Sequence, residues 1–108
     1  MIPSFHAHIY YDDNSRAAAA AVREALFEQF QVQLGRWHDD PIGPHPRAMY
    51  QVAFKQDQFP EVVQWLMLNR QDLTIFVHPE TGDDLADHRE HAIWMGEMLP
   101  LKFEAFDA

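Results

Sequence analysis

An alternating segment near the amino terminus, residues 5–11, constrains the fold of this chain most strongly. Its apolar residues Phe5, Ala7 and Ile9 are separated by His6 and His8. A β-strand directs successive side chains to opposite faces of its sheet, so both imidazoles leave one face and the apolar residues leave the other. Because neutral imidazole is the commonest metal ligand and titrates near neutral pH, this pair predicts a functional site on the sheet.

The composition is typical of a folded, acidic protein. The 108 residues are 47% hydrophobic and 13% aromatic, which suits a single domain spanning residues 1–108. There are seven histidines and no cysteine, so any metal must be bound through nitrogen and oxygen. The formal charge of −9, without a basic cluster, argues against nucleic acid and anionic membranes as partners. We expect no membrane span and no signal peptide, and therefore a cytoplasmic protein.

Patterned segments follow one another in the order strand, helix, strand, strand, helix, strand. The periodicity predicts strands over residues 5–11, 33–37, 48–54 and 73–78, and helices over residues 16 to about 31 and 60 to about 70. A third, short helix is predicted from Asp83 or Asp84 to about Met95, followed by a final strand or arm over residues 98–106. Four large side chains are predicted to lie on helices and to pack in the core: Trp65, Met67, Trp94 and Met95.

This order is that of the ferredoxin-like βαββαβ fold, an α+β fold with an antiparallel sheet and both helices on one face. The first strand then lies between the third and the fourth and runs antiparallel to both. The face opposite the helices receives His6, His8, Gln51 and His78. Because the fourth strand ends beside the start of the first, His78 should approach His6 or His8, and these three imidazoles are the predicted metal ligands. The alternative is that they only hydrogen-bond their sheet neighbours or line a dimer interface.

Two further histidines are candidates for acid–base chemistry. His45 lies between Pro44 and Pro46, which restrict the conformations of its loop. His88 and His91 are one helical turn apart and share a face, with His88 the stronger candidate. The ordinary interpretations are a surface loop for His45 and charge pairing with nearby aspartates for the helical pair.

Four other residues are considered for roles that their types allow. Arg70, at the end of the second helix, stabilises that helix end and could bind a substrate carboxylate. Glu97 or Asp87 could supply a carboxylate ligand, although no spacing singles out either residue. His38, beside two aspartates, is expected in an exposed loop.

Several strings of the sequence occur together in an order that is known from one family. They are residues 5–11 (FHAHIYY), 41–46 (PIGPHP), 49–52 (MYQV), 65–70 (WLMLNR), 77–83 (VHPETGD), 87–88 (DH) and 94–96 (WMG). Together they resemble the DOPA 4,5-dioxygenase family of small bacterial and fungal proteins. The resemblance implies a ferredoxin-like fold, commonly dimeric, and extradiol cleavage of a catechol ring. The family's histidine positions then fall on five residues of this chain: His6, His8, His45, His78 and His88.

The resulting hypothesis is an extradiol dioxygenase that uses a non-haem Fe(II) ion, O2 and a catechol such as DOPA, and that forms a homodimer. Zinc or nickel can replace iron during purification, because divalent affinity follows the metal series. The roles are distributed over seven residues: His6, His8 and His78 as metal ligands, His45 and His88 as acid–base groups, and Arg70 and Gln51 as substrate-binding residues. Two alternatives remain, a cofactor-free monooxygenase or isomerase on a similar dimeric fold and a metal- or ligand-binding module without turnover.

Overall fold

The computed structural model describes residues 1–106 of the chain. Short 3₁₀ helices occupy Gln56–Gln58 and Phe103–Phe106. The strands and α-helices follow in the order β1 (Ser4–Tyr10), α1 (Arg16–Gln29), β2 (Gln33–Leu34), β3 (Met49–Lys55), α2 (Phe59–Asn69), β4 (Ile75–Pro79), α3 (Asp84–His88) and β5 (Ile93–Met95). No helix in this part of the chain is both long and apolar enough to cross a bilayer.

The strands form one antiparallel sheet in the order β2-β3-β1-β4-β5. Strand β1 lies between β3 and β4, as the ferredoxin-like α+β prediction requires, and that prediction is confirmed. The register places His6 opposite His78 on β4 and His8 opposite Gln51 on β3. Side chains that are directly opposite on an antiparallel pair lie close together, so this register brings the predicted site residues to one region of the sheet.

The main hydrophobic core lies between the sheet and helices α1 and α2. Strand residues of alternating position point into it, including Phe5, Ala7 and Ile9 from β1, as predicted. The helices contribute Ala19, Val22 and Leu26 from α1 and Val62, Val63 and Leu66 from α2, at the spacing of one helical face. The helices therefore cover one face of the sheet and leave the histidine-bearing face to other parts of the chain.

The carboxy-terminal arm covers part of that second face. A smaller apolar cluster joins sheet residues to the arm and consists of Tyr10, Met49, Phe76, Leu99 and Leu101. The arm therefore makes the predicted packing contact with its own chain, and it contains no strand within residues 98–106.

The predicted third helix is wrong in its length. Helix α3 ends at His88, and residues that were assigned to its carboxy-terminal half form strand β5 on the free edge of β4. Trp94 and Met95 therefore lie on a strand, not on a helix, and both are partly buried. A strand of three residues is too short to display alternation, so pairing with β4 decided its conformation. Asp83 caps the helix as expected, since its side chain accepts a hydrogen bond from the Ala86 N–H.

Other differences from prediction are small. Strand β2 covers Gln33–Leu34 only, and α1 ends at Gln29. Met67 is 62% exposed and so does not pack in the core, whereas Trp65 is partly buried against it. His38 is half-buried, not exposed, because its backbone forms a bridge with Met49.

Candidate active site

Five imidazoles meet on the helix-free face of the sheet, and we refer to them as the histidine cluster. His6 and His8 come from β1 and His78 comes from β4, while His45 lies in the loop before β3 and His88 ends α3. The ring centroids of His8 and His45 are 4.2 Å apart, and those of His78 and His88 are 3.9 Å apart. Alternation along β1 and the register with β4 thus bring together residues far apart in sequence.

The cluster is mostly buried. The exposed fractions of His78, His8 and His45 are only 1%, 3% and 5%, whereas His6 and His88 are half-buried. Burial without a compensating charge disfavours the imidazolium form of a histidine.

The pKa values of the buried histidines are correspondingly low. Burial, with a smaller effect from neighbouring histidines, lowers the pKa of His45 to about 4 and holds that of His8 well below its usual range. Burial also lowers the pKa of His78 to about 3, although a hydrogen bond to the Pro79 carbonyl partly opposes the shift. These imidazoles are therefore neutral at pH 7, and each has one ring nitrogen with a lone pair and one that carries a hydrogen.

Two imidazoles of the cluster donate a hydrogen bond from Nδ1 to a backbone carbonyl. Nδ1 of His78 lies 3.0 Å from the Pro79 oxygen, and Nδ1 of His88 lies 2.7 Å from the Asp84 oxygen. A carbonyl oxygen can only accept, so Nδ1 carries the hydrogen in both rings and Nε2 has the lone pair. This is the arrangement that metal-binding histidines usually have.

His6 has a carboxylate behind it. Oε1 of Glu80 lies 2.9 Å from Nδ1 of His6 and 3.6 Å from Nδ1 of His78. The carboxylate accepts and does not donate, so it favours the hydrogen on Nδ1 and a lone pair on Nε2. Glu80 was not predicted from the sequence, although it follows His78 by two residues, the same spacing that separates His6 from His8.

His45 is held by its loop and by a tyrosine. The backbone N–H of His45 donates to the Ile42 carbonyl in a turn where Gly43 has φ +59°. The Nδ1 atom of the His45 imidazole lies 2.6 Å from the Tyr10 hydroxyl. The N–H of Lys102 donates to the Pro44 carbonyl, which ties this loop to the carboxy-terminal arm. The flanking prolines and these contacts fix the imidazole against His8.

The family of the chain follows from comparison with known proteins. The model of the Dopa 4,5-dioxygenase family matches residues 5–105. The chain belongs to this family. The resemblance seen in the sequence is thereby confirmed, and all five histidine positions that it indicated lie in the histidine cluster.

Relatives of the chain include two fungal proteins and one bacterial structure. The chain is 37% identical to a DOPA 4,5-dioxygenase of Amanita muscaria, matching 93% of this chain and 48% of that protein. It is 39% identical to an uncharacterized 21.2 kDa protein of Botryotinia fuckeliana, matching 91% of this chain and 60% of that protein. The chain thus spans about half the length of these fungal relatives.

A crystal structure from Nostoc punctiforme, described as a "putative dioxygenase", has the same architecture. It superposes with a TM-score of 0.95 at 59% sequence identity, over 96% of this chain and 90% of that one.

In this family member, the histidine cluster contains two groups that could hold a metal ion. One ring nitrogen from each of His6, His8 and His78 lies within 4.8 Å of the others, and the same is true of His8, His45 and His88. Metal–nitrogen distances of about 2.0–2.1 Å place ligand nitrogens roughly 3–4 Å apart. Nε2 of His8 and Nε2 of His78 lie 3.1 Å apart, a separation that suits two ligands of one ion, and they are hydrogen-bonded to each other. Because Nε2 of His78 has the lone pair, Nε2 of His8 donates this hydrogen bond, and the lone pair of His8 is on Nδ1.

The residues present therefore fit a bound metal. Among the residues that the structure describes, the buried Nδ1 of His8 has no hydrogen-bond partner. An unpaired buried polar atom costs about 1–3 kcal/mol, and an ion bound at this nitrogen would remove that cost. Neither group contains a carboxylate within the described part of the chain, so the ligand chemistry is that of neutral imidazole.

The other predicted site residues divide between the cluster and distant positions. Gln51 is half-buried opposite His8 and lies beside the cluster. Arg70 donates from Nη1 to the Leu73 carbonyl, before the start of β4, whereas His78 is near the end of that strand. The structure therefore does not bring Arg70 to the cluster.

The two carboxylates considered as ligands already have other partners. Glu97 is exposed and pairs with Arg47 at 3.4 Å. Asp87 is buried and accepts from the backbone N–H and the hydroxyl of Thr81, and it also contacts His91 Nδ1 at 3.0 Å. Glu80 is the carboxylate that contacts the cluster, and it does so behind the imidazoles of His6 and His78.

Proposed function

We propose that the chain is an extradiol dioxygenase that cleaves a catechol ring with O2, using a non-haem Fe(II) ion held by His6, His8 and His78. The observation that carries this proposal is the convergence of their three ring nitrogens within 4.8 Å. Membership in the Dopa 4,5-dioxygenase family supports the reaction, and a catechol such as DOPA is the proposed substrate.

Acceptor atoms behind two of these imidazoles support the assignment. The Pro79 carbonyl and the Glu80 carboxylate lie next to Nδ1 of His78 and His6. Outer contacts of this kind orient the rings and make the facing Nε2 atoms more basic. When bound, iron(II) would supply an electrophilic centre for the two catechol oxygens and the redox chemistry that activates O2.

His88 and His45 have different hydrogen-bonding roles in this proposal. Because Nδ1 of His88 donates to the Asp84 carbonyl, its Nε2 can accept a proton from a catechol hydroxyl. His45 packs against His8 and positions the substrate together with Gln51, which lies opposite His8.

Aromatic side chains form the apolar wall of the cluster. Phe76 is fully buried, with its ring centroid 5.7 Å from that of His88. Phe106 of the carboxy-terminal arm lies 4.6 Å from His88, measured between ring centroids. Both rings limit access of water to the cluster, and the partly exposed ring of Phe106 can pack against a flat aromatic substrate.

The proposal is tested by loading the protein with iron(II) under anaerobic conditions and then adding catechol or DOPA with air. We expect O2 uptake with formation of a yellow ring-opened product, and loss of both bound iron and activity in His8→Ala. His91→Ala is the matched control, since His91 is exposed and outside the cluster. Iron-loaded protein that consumes no O2 with any diphenol would contradict the proposal.

The same experiment separates the alternatives. Tight stoichiometric metal without O2 uptake would favour a metal-binding module. Activity that survives chelators, and that His8→Ala reduces without changing metal content, would favour a cofactor-free monooxygenase or isomerase. The homodimer and the cytoplasmic location stay predictions.

A further inference from the structure

We infer that Tyr10 is a positioning residue that keeps His45 out of the metal-ligand set and leaves its Nε2–H as a hydrogen-bond donor to an anionic oxygen of the bound catechol. The inference rests on the proposed function for the identity of that oxygen. The tautomer of His45 and its exclusion from the metal ligands are inferred from the hydrogen bond between Tyr10 and His45.

The hydrogen of the Tyr10 hydroxyl determines which nitrogen of His45 is protonated. Tyr10 is 2% exposed, and in the described residues the hydrogen-bond partner of its hydroxyl is Nδ1 of His45, at 2.6 Å. If Nδ1 of His45 were the donor, the hydroxyl hydrogen would be buried without an acceptor, at a cost of about 1–3 kcal/mol. The hydroxyl therefore donates to Nδ1, and the neutral imidazole carries its hydrogen on Nε2.

At three other histidines of the cluster, the hydrogen and the lone pair are on the opposite ring nitrogens. His6, His78 and His88 each have an acceptor beside Nδ1, which leaves a lone pair on Nε2. His45 has a donor beside Nδ1, which leaves a hydrogen on Nε2. A metal ligand needs a lone pair, so His45 would have to give up the Tyr10 hydrogen bond or lose a proton in order to bind an ion.

The consequence is a choice between the two possible metal groups. The group of His6, His8 and His78 needs no change at His45, whereas the group of His8, His45 and His88 does. His8 is common to both groups, so the choice between them depends on His45. His45 nevertheless lies against His8, with ring centroids 4.2 Å apart. An N–H at that place can donate to a negatively charged oxygen next to the metal, an interaction that strengthens with the charge on the oxygen.

The tautomer is tested directly by ¹⁵N NMR of the metal-free protein with labelled histidine. We expect the His45 signals of an Nε2–H imidazole in the wild type and a loss of that preference in Tyr10→Phe. Tyr50→Phe is the matched control, because Tyr50 is also fully buried and its hydroxyl donates to the Ala19 carbonyl, in the core. An Nδ1–H tautomer of His45 in the wild type would overturn the inference.

Metal content and kinetics provide the second test. Tyr10→Phe and His45→Gln should retain the wild-type amount of bound iron, while kcat with catechol falls about 10- to 100-fold in Tyr10→Phe and KM changes little. Loss of bound iron from folded His45→Gln would overturn the inference. If wild-type protein with bound iron consumes no O2 with any catechol, the proposed function fails, while the NMR spectra and the iron content still decide the role of Tyr10.

Discussion

At the scale of single residues, the atom behind each imidazole decides what that imidazole can do. Pro79, Glu80 and Asp84 provide acceptors, and Tyr10 provides a donor. Five side chains of one type thereby acquire at least two chemical roles. The five histidines can be read directly from the sequence, but no sequence pattern indicates which atoms hydrogen-bond to them.

Glu80→Gln should weaken metal binding about 10- to 100-fold, because a neutral amide orients and polarises His6 less than a carboxylate does. Competition of the protein with a metal-binding dye measures the affinity. Glu97→Gln is the control, since Glu97 is an exposed carboxylate that pairs with Arg47. Equal affinities in Glu80→Gln and the wild type would exclude an outer-sphere role for Glu80.

The metal-free protein should lose stability as the pH falls from about 6.5 to 5. Burial lowers the pKa of His45 to about 4 and that of His78 to about 3, whereas an unfolded histidine titrates near 6.5. In this window the unfolded chain binds more protons, so each such histidine lowers the free energy of unfolding by up to about 1.4 kcal/mol per pH unit. Urea denaturation at pH 7, 6 and 5 measures this slope, and a flat profile would contradict the prediction.

The residues of the site differ in how far the sequence could predict them. Alternation along β1 and the βαββαβ order were enough to bring His6, His8 and His78 to one place. Glu80 and Tyr10 were missed because their roles depend on tertiary distances to imidazoles. Arg70 was placed correctly at a helix end, but a strand's length separates that end from His78.

At the scale of elements, long periodic segments were predictable and short ones were not. Helices α1 and α2 have enough turns to display an apolar face, and each lies within about two residues of its predicted bounds. Strand β5 has three residues and was taken for helix, because its conformation depends on pairing with β4. The loop that carries His45 was recognised from its prolines, yet its burial against His8 follows from tertiary packing.

Gly43→Ala should perturb the loop of His45. Gly43 has φ +59°, a conformation that costs a residue with a Cβ about 1–2 kcal/mol. We expect a lower free energy of unfolding in urea and reduced kcat with iron content unchanged. Gly82→Ala is the control, since Gly82 also has positive φ, at +101°, but lies in another turn. Unchanged kcat in Gly43→Ala would show that the turn does not position His45.

At the scale of the whole molecule, the two faces of the sheet have different roles, one in stability and the other in chemistry. One face packs on α1 and α2 and holds the larger core, while the other holds the histidine cluster and the carboxy-terminal arm. Lowered pKa values and the orphaned Nδ1 of His8 are costs of burying imidazoles on that second face. The larger core offsets them in the metal-free state, and a bound ion would remove part of them.

Metal binding should therefore stabilise the folded protein. An ion at a free concentration 100 times its Kd raises the free energy of unfolding by about 2.7 kcal/mol. We expect the unfolding midpoint of the wild type and of His91→Ala to rise with added zinc, and that of His8→Ala to stay constant. A shift in His8→Ala equal to that of the wild type would place the bound ion away from the cluster.

A crystal structure of the iron-loaded protein, with anomalous scattering recorded at the iron edge, would test the three-histidine metal site directly. We expect one iron peak per chain, about 2.1 Å from a ring nitrogen of each of His6, His8 and His78. We also expect His45 to be hydrogen-bonded to Tyr10 and not bound to the iron. An iron peak bound by His45 and His88, or no peak in the histidine cluster, would contradict this expectation.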